Sequence, residues 1–497
     1  MSDFGVMIGS NLERLQNHLN TFIVFVLSLA NYEKEVVQVV VNTLANFLLN
    51  VKGLVVERIQ FFHNTPKRLQ VFAHPVKAQR NRCPFCGRQC PGYDTAYKEQ
   101  RHWRHLDFGG ILVYITAQTH RIECPEHGVV TAAVPWADHN CAFTRDFDNT
   151  VAWLARENSR STITKFMGID WKTVGRCISR ALNRIEPDRS VRFDGLVNIG
   201  IDETSYRKGH KYILTVTNHD TRTVIWVGKG FGETVLTQFF EALTPEQRES
   251  IKVVTGDGAQ WITRCVEKFC PNATRCIDSF HVAEWVTDTL NNLRLRLLKE
   301  AEQEVQKLEK KSAEKRGRSS KKKREGDEAL SEARQKVASL KGLKYPLGKA
   351  PEHLTEAQRI RLDTGVSCDK RIFRGYNRKE ELRRILHMAD GDAAAIALKE
   401  WLWWASHSRI PEFIELGHKI KRNQELILNT IRTKLSNARI EGINNKIKLL
   451  VRRAYGFRNV QNLIDFVLLI CSNLVIPLPN RAPEEPLDLN LKKRKAA

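Results

Sequence analysis

Residues 196–230, LVNIGIDETSYRKGHKYILTVTNHDTRTVIWVGKG, followed by IKVVTGDGAQ at 251–260 and ATRCIDSFHV at 273–282, set the architecture. Strand-like runs occur at Leu196–Ile201, Lys211–Thr217, Thr223–Val227, Ile251–Thr255 and Thr274–Ile277. Helical stretches at Glu233–Leu243 and Gln260–Phe269 separate the third run from the fourth and the fourth from the fifth. Three strands as a meander, then strands alternating with helices, predict an α/β unit built on a mixed sheet.

Outward from these runs, two aspartates are expected at strand ends. Asp202 closes the first run in IGIDETSY, and Asp257 follows the fourth between Gly256 and Gly258, which allow close approach of backbone or ligand. Glu441 lies in SNARIEGINNKIKLLVRRAYGFRN (436–459), where Ile440, Ile443, Ile447 and Leu450 recur at helical spacing. Three hard oxygen ligands from separate elements suit two Mg2+ ions, with Mn2+ as a substitute, bridging a phosphate for in-line phosphoryl transfer. Taken singly, an Asp after a strand more often caps a turn, and a Glu on a basic helix more often pairs with a Lys or Arg one turn away. Glu203, Asp220 and Glu233 stand as substitutes near Asp202. The order of the three carboxylates, the strand and helix pattern and the charge of the chain together favour the metal site.

That charge is a formal +23 over 497 residues, with 42% hydrophobic content: several cores, and a polyanionic partner, nucleic acid first. The apolar run Phe22–Ala30 is about half the length that spans a bilayer and leads straight into Tyr32-Glu33-Lys34-Glu35, so a packed helix is expected, with no membrane partner. The start of the chain lacks a secretory pattern, and a cytosolic protein follows. The eleven cysteines are odd in number and scattered, which favours reduced thiols over a disulfide scaffold.

Cys83-Pro84-Phe85-Cys86-Gly87 and Cys124-Pro125-Glu126-His127-Gly128 form two knuckles whose ligands Cys83, Cys86, Cys124 and His127 suit a closed, structural zinc site; Cys90, His102 and His105 stand as alternatives. Between the knuckles, Ile111–Ile115 and Ala117–Ile122 suggest a β ribbon. Ser161–Leu182 reads as helix, turn at Gly168, helix, with Lys172, Thr173, Arg176 and Arg180 on the second helix to meet phosphates or base edges. Around Glu441, the cations Arg439, Lys446, Lys448, Arg452 and Arg453 point to phosphate contacts, while Asn444 and Asn445 either hold DNA or cap the helix. Residues 284 to about 420 read as helical, the basic run Lys310–Arg324 as a solvated tip between two long helices, and the tail from Pro477 as disordered.

In IGIDETSYRKGHKY, in VVTGDGAQ with CIDSFHVAEWV, and above all in EGINNKIKLLVRRAYGFR, the sequence resembles the ISL3 family of bacterial insertion-sequence transposases. The resemblance implies a DDE transposase with Asp202, Asp257 and Glu441 as its metal ligands. It marks Asp278 and His281 as an Asp-x-x-His signature, although a hydrogen-bonded histidine at a helix start is an equal reading of His281. It implies a multidomain α+β chain: a zinc ribbon and a helix-turn-helix, then an RNase H-like α/β catalytic domain with a helical insertion. The expected divisions are an N-terminal helical extension (1–50), zinc ribbon (51–145), helix-turn-helix (146–190), first catalytic part (191–283), helical insertion (284–425), second catalytic part (426–476) and tail (477–497). The implied partner is double-stranded DNA, as terminal inverted repeats and as target, bound by a homodimer or larger oligomer in the bacterial cytoplasm at the nucleoid. A non-catalytic DNA-binding relative and a hydrolysing nuclease are the competing readings; the intact carboxylates favour the enzyme.

Overall fold

The computed structural model describes residues 34–94, 100–314, 320–435, 438–454, 456–479 and 481, with the side chains of 34–39, 312–314, 320–326 and 438–441 outside the description. The chain forms two compact units, one drawn from residues up to Asp188 and from Arg452 onward, the other from Arg189–Val451.

In the first unit, helix α1 (Lys34–Leu49) precedes strands β1 (Leu54–Phe62), β2 (Arg68–Pro75), β3 (Gln100–Arg104) and β4 (Leu112–Gln118). These pair in the order β1-β2-β4-β3, with β2 and β4 parallel. The two-residue alternation of a strand sends Val71, Ala73, Trp103, Val113, Ile115 and Ala117 into one core, where Trp136 meets Trp103 edge-on at 5.6 Å. Residues 112–118 are a single strand, not half of the expected ribbon, because β4 already has a neighbour on each side. The ribbon lies later, at the second knuckle, where β5 (Arg121–Cys124) pairs antiparallel with β6 (Gly128–Thr131).

Helices α2 (Arg145–Glu157), α3 (Arg160–Met167) and α4 (Trp171–Ile185) follow, each starting at a side-chain cap, Thr144, Ser159 and Asp170 respectively. Gly168 ends α3 in the left-handed conformation (φ 59°), which a glycine adopts without the Cβ clash.

The second unit opens with the antiparallel meander β7 (Asn198–Arg207), β8 (Lys211–Asn218) and β9 (Thr223–Lys229). Helices α5 (Glu233–Glu241) and α6 (Pro245–Ser250), strand β10 (Val253–Gly256), helix α7 (Gln260–Phe269) and strand β11 (Thr274–Ile277) complete a sheet of order β11-β10-β7-β8-β9, with β10 parallel to both neighbours. Ile199, Ile201, Leu214, Val216 and Val254 from the strands pack on Leu236, Phe239, Phe240, Ile262 and Val266 from α5 and α7. Strand β7 runs past the expected end, so Asp202 lies within it. The extension is a hairpin arm: from Glu203 to Arg207 it pairs with β8 alone, whereas its pairing with β10 stops at Gly200.

Beyond β11 the chain is helical: α8 (Ser279–Glu314), α9 (Ser320–Gly342), α10 (Glu356–Ser367), α11 (Lys370–Leu386), α12 (Gly391–His407), α13 (Pro411–Arg422), α14 (Gln424–Thr433) and α15 (Ala438–Arg453). Leu290, Leu293, Leu343, Leu382, Trp401, Phe413 and Ile427 share one core across α8 to α14. Arg334–Glu309 and Lys341–Glu302 ion pairs bind α9 to α8; residues 315–319, in the expected basic tip, lie outside the described residues. Helix α14 is tied to β11 by Thr430 Oγ1 and Asn429 Nδ2, which donate to the carbonyls of Ile277 and Arg275 at 2.6 and 3.1 Å.

The last helix, α16 (Val460–Ile470), belongs to the first unit and meets α4 at Gly175, where a Cβ would stand 2.8 Å from both Arg160 Nη2 and Asn462 Nδ2. The Arg160 guanidinium, 4% exposed, lies against the rings of Trp171, Phe457 and Phe466 at 5.0–5.3 Å. Burial pulls its pKa down to about 10. Asn149 Nδ2 donates to the Pro477 carbonyl at 3.0 Å, so the expected tail is held at its start; residues 482–497 lie outside the described residues. Among the described residues no helix is long and apolar enough to cross a membrane; Phe22–Ala30 is outside them.

Candidate active site and metal centre

Cys83 and Cys86 on the first knuckle and Cys124 and His127 around the β5–β6 turn bring their four ligand atoms within 4.8 Å of one another. Cys86 Sγ is 3.6 Å from Cys124 Sγ, and His127 Nδ1 is 3.6 and 3.7 Å from the Cys124 and Cys83 sulfurs. Ligands bonded to one tetrahedral zinc stand about 3.5–3.8 Å apart, so donor set and spacing fit a structural zinc ion. The His127 hydrogen bond holds the Cys124 thiol down to about 6, which favours the thiolate a metal needs. Of the alternatives, His102 Nδ1 and His105 Nδ1 meet the hydroxyls of Thr116 and Thr144, each at 2.9 Å, while Cys90 packs beside Cys83 and Cys124 but outside the four-ligand group, its Sγ facing the Arg88 carbonyl at 3.5 Å.

The second helix of the helix-turn-helix divides its polar residues between two tasks. Lys172 and Arg176 are exposed. Thr173 is buried, and its backbone N–H and hydroxyl both donate to Asp170 (2.9 and 2.7 Å). Arg180 turns inward, donating from Nε and Nη2 to both oxygens of Asp148 on α2 at 2.7 and 2.6 Å, where Asp148 is 1% exposed. Four residues expected on one nucleic-acid face are therefore two on the surface and two holding the unit together.

In the second unit, the parallel registers Thr255↔Gly200 and Gly256↔Ile277 level the carboxylates. Continued past the strand ends, they level Asp202 on β7 with Asp257 and Asp278, the residues that directly follow β10 and β11, where neighbouring strands stand about 4.8 Å apart. Asp202 Oδ1 accepts from the Glu203 N–H at 2.7 Å, and its Oδ2 accepts a short hydrogen bond from Asn444 Nδ2. Asn444 Oδ1 in turn faces Thr204 Oγ1 at 3.3 Å. Burial raises the Asp202 pKa, countered by the Asn444 and Glu203 donors and by His281, and reinforced by the charge of Asp257. Glu203, raised likewise by burial, accepts from the Gly232 N–H at 3.0 Å; Glu233 pairs with Arg264 and Asp220 accepts from Asn198, away from Asp202. Asp257 Oδ1 accepts from Ala259 N–H at 3.0 Å, and Asp278 Oδ1 from Phe280 N–H at 3.1 Å at the start of α8. His281 sits in that first turn with Nδ1 3.3 Å from Glu284.

Asn444 is in the second turn of α15, not at its cap. Asn445, Lys446 and Lys448 are exposed on the same helix; the side chains of Arg439 and Glu441 lie outside the described residues. Arg452 is exposed, and Arg453 donates to the Glu157 carbonyl at 3.2 Å within the first unit. One contributor is invisible in sequence: Arg275, buried in β11, donates to the carbonyl of Asp257 and so braces the turn that carries it. An arginine in a four-residue strand reads as an edge cation, and its burial depends on the strand being covered by α14.

A helix-turn-helix and a four-ligand metal knuckle within one compact unit define a DNA-binding protein of the zinc-ribbon class. Residues 199–467 match the family model of the ISL3 transposases, 132–182 the helix-turn-helix domain of transposase family ISL3, and 79–127 the zinc finger of the transposases of IS204, IS1001, IS1096 and IS1165. The transposase for insertion sequence element IS1557 from Mycobacterium tuberculosis is 38% identical over 433 residues, 86% of this chain and 95% of the relative. That for IS1001 from Bordetella parapertussis is 24% identical over 416 residues, 82% and 93% of the two chains. The chain belongs to the ISL3 family of transposases.

Proposed function

We propose that the chain cuts and rejoins DNA by phosphoryl transfer at Asp202, Asp257 and Glu441, on an RNase H-like sheet whose last carboxylate follows a helical insertion spanning 284–425. The observation that carries this reading is the levelling of Asp202, half-buried on β7, with Asp257 at the end of the adjacent parallel strand β10. Like charges so close are costly unless a cation joins them, and a set of carboxylate oxygens suits magnesium or manganese. Asp202, Asp257 and Glu441 would hold such ions, which would supply Lewis-acid activation of a water or 3′-hydroxyl and of the leaving oxygen. The chain's own groups do the positioning. Glu203 N–H and Asn444 fix the two oxygens of Asp202, and Arg275 braces the Asp257 turn. Asn444 also ties α15 to β7, and position 441 is one turn earlier on the same side of that helix. Lys446 and Lys448 are placed to meet phosphates. The zinc ribbon and helix-turn-helix then select the element's terminal repeats, and pairing of two ends calls for a dimer or larger assembly on cytoplasmic DNA.

The test is purified full-length protein with magnesium and a supercoiled plasmid carrying the element's ends. Strand-transfer products are expected, whereas cleavage without joining would favour a hydrolysing nuclease. Asp202→Asn, Asp257→Asn and Glu441→Gln should each lower cleavage to background, roughly a thousandfold or more, with end binding within about twofold. A variant that keeps near wild-type cleavage removes its residue from the ligand set.

A further inference from the structure

The face of the first unit's four-stranded sheet opposite its core has no role in the foregoing. Alternation and register assign it the even-numbered positions of the four strands from Arg58 onward, and none of these is acidic. It carries exposed cations and aromatic rings instead. The Arg58 guanidinium stacks 3.5 Å above Phe72; Phe62 is 37% exposed; Tyr114 is half-buried and His102 exposed. Gln70 Nε2 and His102 Nδ1 each lie 2.9 Å from Thr116 Oγ1, a network that orients the imidazole. Phe62, Arg68, Gln70, His102 and Tyr114 line an open groove of about 360 Å³.

We propose that this face binds single-stranded DNA, with unpaired bases stacking on Phe62, Tyr114 and His102, and Arg58 and Arg68 meeting the phosphates. Aromatic rings on a cation-bearing sheet recognise nucleobases by their π-faces, which every base offers and a duplex conceals. The groove is at the small end of ligand sites, sized for a base and not for a duplex. The strand positions of the face carry Arg58 and Arg68 exposed and no carboxylate of their own, which matches a polyanion; the nearest acids, Glu57 and Asp107, face His74 and Arg104 at its margins. The assignment is independent of the carboxylate site, since binding here needs no magnesium.

Full-length, zinc-loaded protein titrated into a labelled oligothymidine of about 20 nucleotides, read by fluorescence anisotropy without magnesium, tests it. Tyr114→Ala and His102→Ala should each weaken oligothymidine binding roughly 5- to 150-fold, the range for loss of one stacked base. Affinity for duplex ends should stay within about twofold, and Tyr114→Phe, which keeps the ring, should retain wild-type affinity. Zinc content and thermal unfolding equal to wild type establish that the variants are folded. The proposal is overturned if oligothymidine does not bind, if the alanine variants bind it unchanged, or if folded variants lose duplex affinity by the same factor.

Discussion

A carboxylate partly withdrawn from water, as Asp202 is, resists ionisation, and its raised pKa means that without metal its contribution to stability is lost as pH rises through the folded value. His105 presents the opposite case. It is buried in the first unit against Thr144, and burial pushes its pKa down to about 4, from an ordinary value of about 6.5. Between those values the unfolded chain binds a proton that the folded chain refuses, so stability falls as pH drops from about 6.5 towards 4, by up to about 3 kcal/mol. Denaturant midpoints of the first unit at pH 7 and 4.5 should show this loss, and His105→Gln should flatten it. Equal pH dependence in the two proteins would rule His105 out as its source.

Among the elements, α4 shows how one helix serves two masters. Arg176 and Arg180 are four residues apart, and helical periodicity alone sets them on a common side. Their separation comes from Asp148, which lies on α2 and draws Arg180 inward. Arg180→Ala leaves the buried Asp148 with only the longer 3.7 Å pairing to Arg184 and should cost the first unit about 2–4 kcal/mol in chemical denaturation. Arg176→Ala should leave that stability unchanged and weaken binding to duplex ends by about 1–3 kcal/mol, as measured by anisotropy. The reverse assignment of effects would contradict the geometry. The zinc ribbon makes a parallel case. Metal analysis should find one zinc per chain, and Cys86→Ser or a strong chelator should release it and lower the unfolding transition of the first unit. Zinc-free, freshly reduced protein with full stability would refute a structural role.

For the whole molecule, a net charge of +23 makes affinity for DNA a function of salt. Log affinity for any duplex should fall linearly with log salt. Replacing both Lys446 and Lys448 by Ala should reduce the slope by about 2 while leaving the preference for element ends intact. Titrations over a range of potassium chloride decide it: an unchanged slope removes these lysines from the phosphate contacts. The composition of the units matters as well. Because Phe457 and, on α16, Phe466 pack around Arg160, a fragment ending near residue 190 would expose a buried guanidinium.

The strands and helices of 196–282, the two metal knuckles and the glycine turn at Gly168 were legible in the sequence because each depends on neighbours a few residues away: side-chain alternation, ligand spacing, a positive φ. The candidate carboxylates were legible as residues following apolar runs, though not as a row, since levelling Asp202 with Asp257 and Asp278 requires the parallel register of three strands. Tertiary structure alone brought Asn444 to Asp202 across 242 positions, turned Arg180 away from solvent, buried Arg275 behind Asp257 and packed α16 with the N-terminal unit. Those outcomes rest on which polar group finds its partner when water is removed, and the partner is distant in sequence.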